Sequence, residues 1–374
     1  MSLEVSYRCE PSAPHTRSLL ERWFPLPNML APHAAGVDIS DSSVKWLSLV
    51  PAAHGLQVEA FTQAPLEPGV VVGGIVQDPE KLGKVIASLR ESAGAIPYIH
   101  AALPEETGFV FTMHVLEIDD REQVMRMIEF ELEDHVPLAA DSVIYDYDIV
   151  NMHASGEGAE ISVSVFPKTV IDGYRQAFNA AGTNLLSLEL EASSIARAVL
   201  SAHSKDVALI ADFGRARTGI IIVNRGIPIF TSTVSVGGDA MTKVIMDTMK
   251  VDADKAEEFK NEYGIARDGD KQVIEAISGT ASALADEVAR HFSYWDTRRD
   301  EHGNRVTPVS RVILTGGSSN LKGLDEYIAG RVRAPTGHAH VWQNVCMFEE
   351  YIPPVDSHHA LGLSTAIGLA LRSI

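Results

Sequence analysis

The strongest constraint on the fold is a pattern that occurs twice. Residues 37–50 read VDISDSSVKWLSLV. An apolar strand is closed by Asp38, a polar turn follows (Ser40, Asp41, Ser42, Ser43), and a strand carrying Val44, Trp46, Leu47 and Leu49 returns. Half a chain later, residues 209–230 read LIADFGRARTGIIIVNRGIPIF. Here Asp212 closes the strand, the turn is Gly214, Arg215, Ala216, Arg217, and the apolar run from Thr218 returns. Val37-Asp38-Ile39-Ser40 aligns with Ala211-Asp212-Phe213-Gly214, and Val44 with Thr218. A unit repeated at this separation predicts two domains of related topology.

A third segment has the complementary shape. In RVILTGGSSNLKGLDEYI, residues 311–328, a β-branched run stops at Thr315 and two glycines, and a helical spacing of Leu321, Leu324 and Ile328 follows. Gly316 and Gly317 allow positive φ and let another body approach the backbone. The first turn of the helix brings unpaired N–H groups. Taken alone, the segment reads equally well as an ordinary strand–turn–helix connection.

Elsewhere strands and helices alternate, as in an α/β protein. Helices are predicted with Leu82, Val85, Ile86 and Leu89 on one face, and with Val124, Ile128, Leu132 and Val136 on another, the second stopped by Pro137. A third helix closes at Gly182. Residues 334–359 read as a long loop, and HALGLSTAIGLALRSI as a small-residue helix in which Gly362 and Gly368 suit close packing. Residues 1–33 are rich in proline and read as a tail.

Composition excludes more than it selects. Two cysteines, Cys9 and Cys346, argue against a disulfide scaffold and fit a reducing compartment. The start of the chain lacks the pattern of a signal peptide and no apolar run is long enough to span a bilayer, so a cytoplasmic location is expected. A formal charge of −19 argues against nucleic acid and anionic membranes, and suits a basic peptide. No HExxH, zinc-spaced Cys/His set or GxSxG is present. The histidines at 338, 340, 358 and 359 could ligate a metal, but read better as surface side chains.

The Asp38 hairpin, the Asp212 hairpin and Thr315-Gly316-Gly317, in that order, resemble the three nucleotide-contacting loops of the actin, heat-shock chaperone and sugar-kinase superfamily. GVDISDSSVKWLSL, FELEDHVPLAADSVIYDYDIV, GGDAMTKVIMDTMKVDADKAEEFK and the closing GLALRS resemble one branch of it, the type IV pilus assembly protein PilM family, from about residue 35 to the end. The resemblance implies an α/β, actin-like (ribonuclease H-like) two-domain fold with a nucleotide cleft. A first domain would span residues 34–208, with a small α+β subdomain inserted at about 105–182. A second would span 209–374, with a helical subdomain at about 237–290 and a last helix, about 358–372, packing back on the first.

The resemblance also implies ATP and Mg²⁺. Ser40, Asp41, Ser42, Ser43 and Lys45 would meet the β-phosphate, as backbone nests do. Gly214, Arg215 and Thr218 would face the γ-phosphate. Asp38 and Asp212 would sit near the metal, mostly through water, because Mg²⁺ dehydrates reluctantly. Gly316, Gly317 and Ser318 would lie against the adenosine and α-phosphate. Gly237 and Gly238 belong to the GG–helix segment, and Glu257 and Lys260 would reach the ribose or adenine. Arg215 and Arg217 depart from the small or hydroxyl residues usual in the second loop. Each residue also has a plainer reading, as a turn-former or a solvated pair.

No catalytic base is assigned. Glu189 and Glu191 lie where related proteins present polar residues, and ATP binding is expected ahead of efficient turnover. The implied partner is the cytoplasmic N-terminal peptide of a PilN-like inner-membrane protein, with pilus motor ATPases and self-association as further candidates. The rival readings are an FtsA- or MreB-like cell-division or cell-shape protein and a small-metabolite kinase.

Overall fold

The structure, a computed structural model, describes residues 32–52, 55–116, 120–152, 158–202, 204–299 and 305–373. Nearly all of the stretch read as a tail, and Cys9 with it, lies outside the described residues. The chain divides into two compact units: Met1–Pro51, Val58–Ser194 and Gly368–Ile374 form one, and Ala52–Gln57 with Ile195–Ile367 the other.

Two five-stranded sheets share one strand order. The first contains β1 (Ala34–Ile39), β2 (Ser43–Ala52), β3 (Gly55–Pro65), β6 (Tyr98–Leu103) and β10 (Asn184–Leu190), in the order β3-β2-β1-β6-β10. The second contains β11 (Val207–Phe213), β12 (Thr218–Asn224), β13 (Ile227–Val234), β14 (Val309–Thr315) and β15 (Thr336–His338), in the order β13-β12-β11-β14-β15. In each, the first strand pairs antiparallel with the second and parallel with the fourth. The hairpins even share a register. Asp38 faces Lys45 and Ile39 faces Val44, while Asp212 faces Gly219 and Phe213 faces Thr218. The aligned residues of the sequence repeat therefore occupy equivalent rungs. Ile220, Ile221, Ile222 and Val223 are all buried, the continuous apolar run expected of a strand covered on both faces.

The first unit also carries a smaller sheet, β7 (Phe109–Val115), β8 (Val143–Met152) and β9 (Ala159–Pro167), antiparallel in the order β7-β9-β8. Helix α2 (Arg121–His135) starts at Asp120, whose carboxylate accepts the amides of Glu122 and Gln123. Its Val124, Ile128 and Leu132 are buried with Ile161, Val163 and Val165 of β9. Phe130 falls on the opposite face and is 89% exposed, so the acidic stretch around it has one inward anchor, Leu132, and one outward aromatic.

A two-stranded ribbon, β4 (Val71–Val72) and β5 (Ile75–Val76), turns at Gly73-Gly74 and leads into α1 (Pro79–Ser92). Helix α3 (Lys168–Ala180) ends before Gly182, at φ 64°. Helix α4 (Glu191–Val199) follows β10 directly. Beyond β13 lie α5 (Gly238–Met249), α6 (Ala253–Tyr263), α7 (Lys271–Thr297), α8 (Leu324–Val332), α9 (Ser357–Ala360) and α10 (Ser364–Ala370).

Two expectations change. The stretch read as a loop contributes β15, which pairs with β14 from Thr336 to His338. The single C-terminal helix is interrupted by a 3₁₀ turn at Leu361–Leu363. That turn supplies the Leu361 carbonyl to the Gly316 amide and the Thr315 hydroxyl. Gly368 then brings α10 against α4: a Cβ there would stand 1.8 Å from the Ser194 carbonyl oxygen.

Candidate functional site

In the second unit the described contacts draw most of the singled-out residues into one contiguous polar cluster. It begins where the turn after Asp212 meets the start of α5. The amides of Gly238 and Asp239 donate to the carbonyls of Gly214 (3.0 Å) and Arg215 (2.8 Å). Gly237 is bare because a Cβ would lie 2.3 Å from the Arg215 carbonyl oxygen. Two orphan donors of the helix are thus satisfied by the turn itself. Arg215 Nε sits 3.1 Å from Asp239 Oδ1, an exposed pair of the sort that contributes little to stability. Thr218 is buried and its hydroxyl donates to the Val236 carbonyl at 2.6 Å.

One helical turn into α5 stands Thr242, which the motif reading did not single out. Its hydroxyl lies 2.6 Å from Glu257 Oε2, and Lys260 Nζ lies 2.6 Å from the same oxygen. Lys260 Nζ also donates to Thr242 Oγ1 at 3.0 Å and reaches the Gly238 carbonyl at 3.5 Å. A hydroxyl has one proton, so Thr242 gives it to Glu257 and accepts from Lys260. The Lys260 side chain is 6% exposed and that of Glu257 46%. Burial works against the charge of Glu257, but the hydrogen bonds from Lys260 and Thr242 outweigh it and hold its carboxyl below the usual range. The sequence signal for Thr242 was its place four residues after Gly238, on the same helix face.

The glycine turn completes the cluster. Gly316 has φ 86°, and a Cβ there would stand 2.5 Å from both Asp212 Oδ1 and the Phe213 carbonyl oxygen. Its bareness is therefore required by the neighbouring strand. Gly317 differs: a Cβ there would meet nothing within 4 Å. Ser318 touches the start of α5, where a Cβ at Gly238 would fall 2.3 Å from Ser318 Oγ. Gly317–Asn320 forms a 3₁₀ turn, and the helix proper begins only at Leu324.

In the first unit the residues 38–45 form a tight hairpin end. Lys45 Nζ lies 2.9 Å from Asp38 Oδ2, with side-chain exposures of 22% and 8%. The Ser40 hydroxyl lies 3.1 Å from the Ser43 carbonyl and accepts the Ser43 amide at 3.2 Å, while Ser42 is exposed. Asp41 turns away from the hairpin: its two oxygens accept the amides of Gly73 and Gly74, each at 3.0 Å. Glu189 is ion-paired with Arg372, and Glu191 opens α4.

Three of the four singled-out histidines are engaged in local structure. His338 Nε2 is 2.9 Å from the Ser319 carbonyl oxygen, His358 Nδ1 is 2.9 Å from Asn320 Oδ1, and His359 pairs with Asp356. Among the described residues no group of three or more His, Cys, Asp and Glu could hold a metal ion directly.

The family model of type IV pilus assembly protein PilM matches residues 36–374. A solved PilM–PilN type IV pilus biogenesis complex aligns with a TM-score of 0.76 at 20% identity, covering 92% of this chain and 99% of that one. The ethanolamine utilization protein EutJ from Carboxydothermus hydrogenoformans aligns at 0.52 and 15% identity, over 93% of this chain and 91% of its own. MreB 5 of Spiroplasma citri bound to AMPPNP aligns at 0.52 and 10% identity, over 89% and 94%. These similarities establish the actin-like fold.

Proposed function

The chain belongs to the PilM family of type IV pilus assembly proteins, and from that premise we propose that it binds ATP and docks the cytoplasmic N-terminal peptide of a PilN-like membrane protein. The observation that carries the nucleotide reading is the Thr242–Glu257–Lys260 set beside an open glycine backbone at Gly317. Glu257 is half-exposed, kept ionised, and presents acceptor oxygens suited to ribose hydroxyls or an adenine amino group. Gly317 and Ser318 offer a floor without a side-chain obstacle for adenosine and the α-phosphate. The fit is that of a neutral sugar and base held beside a buried cation.

In the first unit, the backbone and hydroxyls of Ser40, Ser42 and Ser43 suit a phosphate, as does Lys45. Asp41 serves that turn from behind. In the second, Gly214, Thr218 and the Gly237-Gly238 helix start shape the other phosphate-facing turn, and Arg215 stays with Asp239. Magnesium, when bound, neutralises phosphate charge. Asp38 and Asp212 are the carboxylates proposed to reach it, mostly through water, because Mg²⁺ dehydrates reluctantly.

The nucleotide is proposed to act as a structural ligand. Glu189 is committed to Arg372, which leaves it poorly placed to orient an attacking water. Ligand at a hundred times its Kd stabilises the bound form by about 2.7 kcal/mol, enough to favour one conformation without chemistry. The acidic body (formal charge −19) suits a basic peptide. No described helix is long and apolar enough to cross a membrane, so membrane association is proposed to come through that partner. Isothermal titration with Mg-ATP and with the PilN-like N-terminal peptide tests the reading. Saturable heat for each is expected, and silence for both refutes it.

A further inference from the structure

Asp41 occupies the middle of the first turn, yet its carboxylate is spent elsewhere. It accepts the amides of Gly73 and Gly74 at 3.0 Å each. Both glycines have positive φ, 57° and 72°. A Cβ at Gly74 would stand 2.3 Å from Pro104 Cγ. The ribbon turn is thus held in one conformation, with two adjacent amides aimed at one carboxylate, a charge-assisted arrangement.

The other side of that turn faces α3. The Gly74 carbonyl accepts the hydroxyl of Tyr174 at 3.0 Å. Tyr174 is fully buried. Burial, then the nearby charge of Glu191, push its phenol well above the usual range, so it remains a donor. Helix α3 grips the ribbon and α1 at two further points. A Cβ on Gly173 would lie 3.3 Å from Val76 Cβ, and one on Gly83 would lie 2.7 Å from Ala180 Cβ. Finally, α3 begins at Lys168, immediately after β9 ends at Pro167. Strand β9 is the central strand of the small three-stranded sheet.

We infer that Asp41 is a positioning residue, and that Asp41, Gly73-Gly74 and Tyr174 mechanically couple the Ser40–Ser43 turn to α3 and β9. A ligand that orders the turn would thereby bias the small sheet, and an occupant of that sheet would bias the turn. Which ligands these are rests on the function proposed above; the link itself does not.

Hydrogen–deuterium exchange of the full chain without ligand tests the link. Tyr174→Phe removes one hydroxyl and keeps the ring, so the fold is retained. It is expected to raise exchange about fivefold at Gly73 and Gly74 and also within Ser40–Ser43, the effect of one net hydrogen bond. Asp41→Asn is expected to raise exchange about tenfold at Gly73 and Gly74, and to loosen α3 and the end of β9. The inference is overturned if each variant alters only its own element. A separate arm adds Mg-ATP. Wild-type protein should gain protection in α3 and β9, and Tyr174→Phe should bind but lose that gain. A wild type that ignores Mg-ATP would refute the nucleotide reading, while the ligand-free exchange still decides the link.

Discussion

Lys45 Nζ lies 2.9 Å from Asp38 Oδ2, and the two residues face each other directly across the first hairpin. The equivalent rung of the second hairpin pairs Asp212 with Gly219, so the lysine is particular to the first. Lys45→Met would leave the Asp38 carboxylate, 8% exposed, buried without its ammonium. A loss of about 2 kcal/mol is expected by urea denaturation, because an uncompensated buried charge costs more than the pair contributes. The double variant with Asp38→Asn should recover much of it. A Lys45→Met midpoint equal to that of wild type would show that the pair is immaterial, and a double variant no more stable than Lys45→Met would contradict the stranded charge.

Glu257 gives an acid-side signature. Its carboxyl is held below the ordinary range: burial opposes the charge, and hydrogen bonds from Lys260 and Thr242 overcome that opposition. A depressed carboxyl contributes stability above its unfolded pKa, near 4.5, and the contribution is lost as pH falls through the folded value. The group is half-exposed, so the effect is small. Glu257→Gln should flatten the decline in stability below about pH 4.5, and should strand the Lys260 ammonium at neutral pH. Parallel pH curves for variant and wild type would contradict this.

His291 gives a second signature of the same sign, although here the favoured form is the neutral one. It lies on α7 against Phe230, with ring centroids 5.3 Å apart. Burial pushes its imidazole down, Arg290 adds to the shift and Glu287 opposes it. The unfolded chain therefore takes up the proton first, and stability falls as pH drops below about 6.5. His291→Leu should remove the part of the slope that begins as pH falls below about 6.5. An unchanged slope in thermal melts would place the titration elsewhere.

Two glycines of the same sequence type should answer substitution very differently. Gly368→Ala drives a Cβ to 1.8 Å from the Ser194 carbonyl oxygen, and a loss of about 3 kcal/mol or more is expected from the forced backbone shift. Gly317→Ala meets nothing within 4 Å and should stay within about 0.5 kcal/mol of wild type. Denaturation of both variants checks the contrast.

The parts legible in the sequence are those written locally. The β-branched runs, the strand-end aspartates and the turn lengths were enough to align two hairpins whose registers agree rung for rung. The stripe Val124, Ile128, Leu132 showed which face of α2 is buried, because helical spacing encodes it. What escaped was set by distant partners. Asp41 reads as a turn residue of a phosphate loop, and only the fold brings Gly73 and Gly74 to its carboxylate. Gly316 reads as bare for a ligand, whereas Asp212 and Phe213 already demand it. Strand β15 has three residues and no alternation to betray it.

The most direct test of the account is calorimetric titration of Mg-ATP into wild type, Gly317→Val and Lys260→Met, with melting curves taken on the same samples. Saturable binding to wild type is predicted, at least tenfold weaker in both variants, with the melting curves showing that each variant compared is folded. Absence of binding to wild type, or binding indifferent to both substitutions, would contradict it.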